Sequence, residues 1–303
     1  MTRVPRWMRF VFVANLVAQA AIVVTGAVVR LTGSGLGCPT WPECVEGSYV
    51  PVARQAEAWH KYVEFGNRLL TFAVGIVAIL AVVAVVTYTV RRARSGESMR
   101  ISILLLGIAP LAGTFAQAVL GGITVLTGLN PVTVGLHFLV SIALIAAAVA
   151  LVVRSRDAGD VPVVFLARAE VRVYTWALIA VTMLVVIMGV VTTGSGPHSG
   201  DAESEHRFPF DPRTVSWLHA DIVLLFIGML IGYLILIRVT SSPSRTWRTA
   251  LILAGITLVQ AAVGYTQYFS GLPVILVTIH VTLACLLWIT VLFLPSTLRT
   301  RGT

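Results

Sequence analysis

Residues 117–137, QAVLGGITVLTGLNPVTVGLH, return 143 positions later as residues 260–280, QAAVGYTQYFSGLPVILVTIH. Glutamine opens both stretches, histidine closes them, and no gap is needed to align what lies between. The matched pairs are Gln117 with Gln260, Gly121 with Gly264, Gly128 with Gly271, Leu129 with Leu272, and His137 with His280. The match predicts an internal repeat.

The repeated stretches lie within a very apolar chain. Hydrophobic residues make up 57% of its 303 residues and charged residues only 12%, which is too apolar for the surface of a water-soluble protein. Eight segments are long enough to cross a bilayer as helices: residues 9–30, 62–90, 101–126, 132–153, 171–193, 214–238, 247–268 and 273–295. The composition therefore predicts an integral membrane protein, and the first segment is expected to be retained as a helix.

The repeat pairs the third and fourth segments with the seventh and eighth. An even number of helices in each half returns the chain to its starting side, so the halves are predicted to be parallel repeats about an axis along the membrane normal. We expect an all-α membrane protein of eight transmembrane helices in two pseudo-symmetric four-helix bundles. The first half is residues 1–155, the second half is residues 156–303, and their sites open towards the same face.

The net charge of +9 has a topological explanation. Sixteen of the 22 basic residues lie on alternate loops or at the termini, such as Arg91, Arg92 and Arg94 after the second segment. The excess of arginine in cytoplasmic loops places both termini in the cytoplasm. The charge thus predicts an orientation in the cell membrane and not the binding of nucleic acid.

The tetrapeptide Thr-Gly-Ser-Gly occurs at residues 32–35 and again at residues 193–196, where the first segment of each half ends. Glycine ends a helix at positive φ and lets the backbone approach a flat ligand. Each copy is therefore either a simple helix stop or a turn that faces a ligand, and the duplication favours the second reading.

The six histidines all lie on the side of the membrane opposite the arginine-rich loops, either in the loops of that side or in the adjoining ends of the segments. His137, His219 and His280 are expected roughly 7 to 10 Å inside their helices, where polar groups are costly and usually functional. His219 and His280 share a level, and imidazoles that face each other in a helix bundle can ligate haem iron from both sides. A hydrogen bond to a neighbouring helix is the alternative.

The first half has no histidine at the position that matches His219. Residues 60–70, HKYVEFGNRLL, place Glu64, Asn67 and Arg68 there, level with His137. Because asparagine is a poor iron ligand, the first pocket offers one good imidazole and leaves room for a substrate at the iron. The second pocket offers two imidazoles and closes both axial positions of its iron. Arg68 follows Glu64 by four residues and either pairs with it or meets a porphyrin propionate.

With these features together, the chain resembles the haem A synthase family, and in particular its bacterial members. The resemblance is carried by TGSGLGCP with a second cysteine nearby, by Glu-x-x-x-Arg from Glu64 to Arg68, by histidines at the outer ends of helices four, six and eight, and by the repeat. It implies an iron-dependent oxidoreductase of haem A biosynthesis that oxidises a porphyrin methyl group of haem O to a formyl group.

The resemblance also implies roles for particular residues. His219 and His280 would ligate the iron of a haem B cofactor, and His137 would bind the substrate haem. Glu64 would be the catalytic residue, with Asn67 and Arg68 beside the substrate. Asn67 departs from the family pattern, in which many members have a second histidine at this position.

Cys38 and Cys44 lie in the first loop, on the side where a disulfide can persist. They are either a loop staple or, as the resemblance supports, a pair that takes part in redox chemistry or haem handling. Cys285 lies within the eighth segment and is expected to be packing.

The implied partners are haem O, the prenyltransferase that makes it, an electron donor and the lipid bilayer, and homo-oligomerisation stays open. A b-type cytochrome that only transfers electrons is the alternative function. A transporter of parallel repeats is a third class, but it would carry polar groups near the midplane, where these segments have few.

Overall fold

The computed structural model describes residues 3–201 and 206–301, most of them in eight long helices. All eight predicted segments are confirmed, and most of the helices extend beyond them into the flanking polar residues. The helices are α1 (Arg6–Leu31), α2 (His60–Arg94), α3 (Ile101–Leu126), α4 (Pro131–Arg156), α5 (Ala169–Ser195), α6 (Pro212–Val239), α7 (Ser244–Phe269) and α8 (Val274–Thr297). Each is long and apolar enough to span a membrane.

Helices that follow one another in the chain pack together. In the first half α1 also packs against α4, which closes a four-helix bundle. In the second half α5 packs against α8, although α5–α8 and α6–α7 pack less extensively than their counterparts. The halves meet through α8, which contacts α1 and α4, and Trp288 Nε1 donates to the Ile142 carbonyl at 3.0 Å. The division between residues 155 and 156 stays a prediction.

The 143-residue repeat has matching backbone geometry at its turns. Gly128 and Leu129, between α3 and α4, both have a φ of 61°. Gly271 and Leu272, between α7 and α8, have φ values of 77° and 60°. Leucine rarely adopts this left-handed conformation, so its recurrence shows that the two turns are built in the same way.

The two Thr-Gly-Ser-Gly copies differ, and the predicted turn is wrong for the second. In the first copy Gly33, with φ at 66°, follows the end of α1. The second copy stays helical as far as Ser195, and its last residue, Gly196, caps the end of α5. Neighbours satisfy its terminal carbonyls: Phe208 N donates to Gly194 O at 3.0 Å, and Arg30 donates to Thr193 O at 3.1 Å.

We call the end of the molecule where α1 ends and α2 begins the cysteine end. Its loop carries a disulfide between Cys38 and Cys44, so the predicted pair is bonded. Cys285 is a buried free cysteine, as expected. Gly37 packs directly on the backbone of His60, where a Cβ would overlap the carbonyl. The loop is thereby fixed against the start of α2.

The opposite end, where α2 ends and α3 begins, is the arginine end. Arg100 is 1% exposed and donates to the carbonyls of Arg154 and Asp157, at 3.0 and 3.3 Å. It also forms an ion pair with Asp160 at 3.4 Å and approaches the Tyr88 hydroxyl at 3.3 Å. Nearby, a short antiparallel pair joins β1 (Val164–Phe165) to β2 (Arg299–Thr300). These contacts hold together the α2–α3 connection, the α4–α5 connection and the segment that follows α8.

Replacing Arg100 should destabilise the fold because its removal leaves buried carbonyls and part of the Asp160 charge without a partner. We expect Arg100→Gln to lower the free energy of unfolding by about 3 kcal/mol, measured by thermal or denaturant unfolding in detergent. Arg94→Gln, at an exposed arginine of the same end, should change it by less than about 0.5 kcal/mol. Equal effects of the two changes would contradict this role.

The disulfide should be present in the purified protein. Maleimide should modify Cys38 and Cys44 only after reduction, as counted by mass spectrometry of the denatured chain, whereas Cys285 is modified with or without it. Labelling of all three cysteines without a reductant would show that the loop is not closed by this bond.

Candidate functional site

One large cavity lies among the helices towards the cysteine end. Its volume is about 1740 Å³, and all eight helices contribute to its walls. Pockets for single small molecules are usually on the order of 300 to 1,000 Å³, so this cavity has room for more than one large ligand. The two predicted sites thus lie in one continuous space.

Three histidines line this cavity at matched depths. His137 follows the start of α4 by six residues, His219 the start of α6 by seven, and His280 the start of α8 by six. At 1.5 Å per residue each lies roughly 9 to 10 Å inside its helix. The common level predicted for His219 and His280 therefore extends to His137.

Well-defined helix starts fix these depths. Asn130 caps α4 by accepting from Val132 N at 2.9 Å, and proline follows it as the first helical residue. Asp211 caps α6 by accepting from the backbone and hydroxyl of Thr214, at 2.8 and 2.7 Å. These hydrogen bonds lower the pKa of the Asp211 carboxyl.

A glycine on the preceding helix packs against each imidazole. A Cβ at Gly121 would lie 3.4 Å from Cε1 of His137, and one at Gly264 would lie 3.2 Å from Cε1 of His280. The repeat contains both of these glycines, but their role as the packing surface for an imidazole was missed. Gly189 and His219 form the third such pair, at 3.5 Å, and only the structure reveals it.

A glutamine on α3 and one on α7 hold the backbone of two of these histidines. Gln117 Nε2 donates to the His137 carbonyl at 2.9 Å, and Gln260 Nε2 donates to the His280 carbonyl at 3.1 Å. The side-chain oxygen of each glutamine is buried and has no hydrogen-bond partner among the residues that the structure describes. The first and last residues of the repeated stretch are therefore in direct contact in both halves.

The three imidazoles are chemically suited to bind iron in a porphyrin. Their Nδ1 atoms are buried and make no hydrogen bond of normal geometry within residues 3–201 and 206–301, although the Val185 carbonyl lies near His219. Neutral imidazole is a common axial ligand of haem iron, and the apolar walls suit the macrocycle.

Clusters of three or more metal-ligating side chains are absent from the residues that the structure describes. Haem iron needs only one or two protein ligands because the porphyrin supplies the rest. The arrangement therefore fits a haem and gives no indication of a metal ion bound by the protein alone.

Glu64 and Arg68 form a buried ion pair, as their spacing predicts. The distance between Arg68 Nη2 and Glu64 Oε1 is 2.7 Å, and the other carboxylate oxygen accepts from Cys38 N at 2.6 Å. Arg68 also donates to the carbonyls of Cys38, Thr40 and Glu43, at 2.8, 3.0 and 3.1 Å. The pair thus holds the cysteine loop while both residues line the cavity.

Asn67 occupies the place that His219 has in the second half. Each is the eighth residue of its helix and each lines the cavity. The Asn67 side-chain oxygen accepts from the Thr25 hydroxyl at 2.8 Å. The amide therefore turns its acceptor towards α1, and the cavity has one imidazole in the first half but two in the second.

The cysteine loop also supplies part of the cavity wall. Trp41 lies between the two cysteines, and its indole packs on Gly122 of α3 so closely that any Cβ there would overlap the ring. At the side of the cavity, Phe72 and Phe115 line it and yet are 73% and 74% exposed. The cysteine loop therefore covers part of the cavity, and these two rings border the cavity while also facing outwards from α2 and α3.

Four other polar side chains at this end of the molecule have different surroundings. Arg30 lines the cavity and donates to the His198 carbonyl at 2.9 Å, in addition to its bond to Thr193. Arg213 lies against the Trp217 ring, 5.6 Å from its centroid, at the cavity edge. His60 is within 2.9 Å of the Ser34 hydroxyl, and His198 contacts the Leu272 carbonyl at 3.0 Å. Neither histidine lines the cavity.

Comparison with known proteins identifies similar sequences along most of the chain. Residues 8–292 match the profile of the COX15-CtaA family, described as cytochrome oxidase assembly protein. A heme A synthase of Lysinibacillus sphaericus is 32% identical over 193 residues, which cover 61% of this chain and 58% of that protein. A heme A synthase of Geobacillus thermodenitrificans is 32% identical over 41% of this chain and 35% of its own length.

These alignments span between about a third and three fifths of the relatives concerned. A heme A synthase of Listeria monocytogenes aligns more completely, with 27% identity over 93% of this chain and 90% of that protein. The family match runs from the first turn of α1 into α8 and includes the cysteine loop and the three cavity histidines. The chain belongs to the COX15-CtaA family of cytochrome oxidase assembly proteins.

Proposed function

We propose that this chain is an oxidoreductase that converts haem O to haem A by oxidising a methyl group on the porphyrin ring to a formyl group. The observation that carries the proposal is the chemical difference between two ends of one cavity. One end has a pair of imidazoles, and the other has a single imidazole with a carboxylate, an amide and a guanidinium. The full-length similarity to a protein named heme A synthase supports it.

The first half is the proposed substrate site. His137 is the single imidazole available to the iron of haem O, and Asn67 lies at the matching depth on α2. An iron held from one side releases its porphyrin more readily than one held from both sides, which suits a molecule that enters and leaves. Glu64 is the carboxylate we assign to the chemistry, because oxidation of a methyl group develops positive charge on carbon and releases protons.

The second half is the proposed cofactor site. His219 and His280 would hold a haem B, which would supply one-electron transfer in this half. The residues of this chain fix the position of that group: Gly189 and Gly264 allow the rings to pack closely, and Gln260 restrains the backbone of His280. The continuous cavity keeps cofactor and substrate within one enclosure.

The apolar edge of the cavity suits the substrate's shape. Haem O carries a long prenyl chain, and the exposed rings of Phe72 and Phe115 provide an apolar surface on which that chain can lie. A substrate made by a membrane prenyltransferase would therefore reach the site through the bilayer. That enzyme is the proposed source of haem O, and a separate electron carrier is the proposed redox partner.

The orientation in the membrane is part of the same proposal. The arginine-rich loops place both termini of this multi-pass protein in the cytoplasm of the cell, with the haem sites near the outer face of the plasma membrane. The disulfide at the cysteine end is consistent with the oxidising side of that membrane. The two halves are proposed to be parallel repeats, which the shared Gly-Leu turns and glutamine–histidine contacts support.

A b-type cytochrome is the second candidate, because the His219/His280 pair by itself suits electron transfer. The two functions differ in their product. Expression of the intact chain in cells that make haem O, followed by mass analysis of extracted haems, should yield haem A. Bound haem B without haem A would favour the electron-transfer protein and overturn the proposed enzyme.

Separate substitutions of the histidines should distinguish the two sites. His219→Ala or His280→Ala should abolish the low-spin absorption spectrum of bound haem B, since each removes one axial ligand. His137→Ala should keep that spectrum while haem A formation falls at least about tenfold, equivalent to about 1.4 kcal/mol. A low-spin spectrum that survives both second-half changes would contradict the ligand assignment.

Glu64→Gln should reduce haem A formation at least about tenfold while the haem B spectrum of the second half remains. Gln keeps the size of the side chain but removes the charge. Arg68→Gln is the comparison variant: it breaks the same ion pair and also removes the donors to three carbonyls of the cysteine loop, but it leaves the carboxylate in place. If both changes reduce activity and melting temperature equally, Glu64 acts by holding the cysteine loop and not in the chemistry.

A further inference from the structure

A second, smaller cavity lies at the arginine end, away from the haem sites. It has a volume of about 330 Å³ and lies between the start of α1 and the end of α4. Arg6 and Arg9 line it from α1, and Ser155 and Arg156 line it from α4. Residues three or four apart share a helix face, so each helix directs neighbouring positions towards the same space.

The arginines of this cavity differ from the ion-paired arginines at the same end. Arg100, Arg154 and Arg299 form ion pairs with Asp157 or Asp160. Arg6, Arg9 and Arg156 form no ion pair within residues 3–201 and 206–301. Three positive side chains therefore surround one cavity without acidic groups to balance them.

One of these arginines has a buried donor that nothing satisfies. Arg9 Nε is inaccessible to solvent and has no hydrogen-bond partner in the described part of the chain. A buried N–H without an acceptor is energetically unfavourable. The Arg9 side chain is therefore not fully hydrogen-bonded within the described part of the chain.

The start of α1 adds to the positive potential. No acidic residue lies in its first turn, and Pro5 at the cap position provides no side-chain acceptor. The first amide groups of a helix carry partial positive charge and favour anions. Arg156 is restrained nearby by the ring of Phe293, 6.0 Å from its guanidinium carbon. The cavity is thus pre-arranged for a negatively charged group.

An apolar strip extends from the cavity along α1. Phe10 and Val13 line the cavity and are 73% and 38% exposed, and Val17 continues the strip with 60% exposure. These residues lie on one helix face and lead from the arginines towards the middle of the membrane span. A free anion would make no contact with this strip, whereas a lipid acyl chain can pack along it.

We propose that this cavity binds an anionic phospholipid. Its phosphate accepts from Arg6, Arg9 and Arg156, and an acyl chain lies on Phe10, Val13 and Val17. Basic pockets between transmembrane helices are suited to lipid head groups, and each arginine near a membrane surface adds to the attraction for anionic lipid. The proposal does not depend on the proposed enzymatic function.

Native mass spectrometry of the full-length protein in neutral detergent tests the proposal directly. Phosphatidylglycerol should bind with one-to-one stoichiometry, and phosphatidylcholine with the same acyl chains should bind at least about tenfold more weakly. The variant with Arg6→Gln, Arg9→Gln and Arg156→Gln should lose that preference. Arg91→Gln with Arg94→Gln, at exposed arginines of the same end, should keep it.

Two further arms make the result decisive. Arg6→Lys, Arg9→Lys and Arg156→Lys retain the charges and should keep selectivity for phosphatidylglycerol if the glutamine variant loses it through charge and not through misfolding. Inorganic phosphate should not compete at millimolar concentration. Effective competition would show a site for free anions, and equal loss in the control variant would show diffuse surface attraction; either result overturns the proposal.

Discussion

The shape of the first-half pocket depends on the hydrogen bonds and the ion pair that the Arg68 guanidinium forms. The guanidinium satisfies three carbonyls of the cysteine loop and is itself neutralised by Glu64. Irregular backbone at the edge of a membrane span is tolerated only where its polar groups find partners inside the protein. The arginine makes this possible, and the loop then carries Trp41 onto Gly122 as a wall of the cavity. Packing, charge and cavity shape are linked through one side chain.

Much of this arrangement follows from sequence, for identifiable physical reasons. Helical spans are visible because a bilayer imposes length and hydrophobicity on them. The Glu64–Arg68 pair follows from helical periodicity, which places residues four apart on one face. The repeated glutamine and histidine are equally visible, and the structure explains their constant separation: the amide of one bonds the backbone of the other across an antiparallel helix pair.

Other features depend on contacts between distant parts of the chain and have no local signal. Gly189 packs on His219, but its sequence surroundings resemble those of any helical glycine. The second Thr-Gly-Ser-Gly remains helical because Phe208 and Arg30 supply donors from elsewhere, so identical tetrapeptides adopt different structures. Propensity describes what a segment prefers alone, and tertiary partners decide between alternatives of similar free energy.

Arg30 has a consequence beyond its own hydrogen bonds. It belongs to α1 and lines the cavity, but its donors reach Thr193 and His198 of the second half. At the same boundary between the two halves, Gly35 N donates a hydrogen bond to Gly200 O at 2.8 Å. A ligand that displaces this guanidinium from one side alters the surroundings of the other. By thermodynamic linkage such an influence is reciprocal. Ligand binding in one half then changes the affinity of the other half for its own ligand, and the reverse also holds.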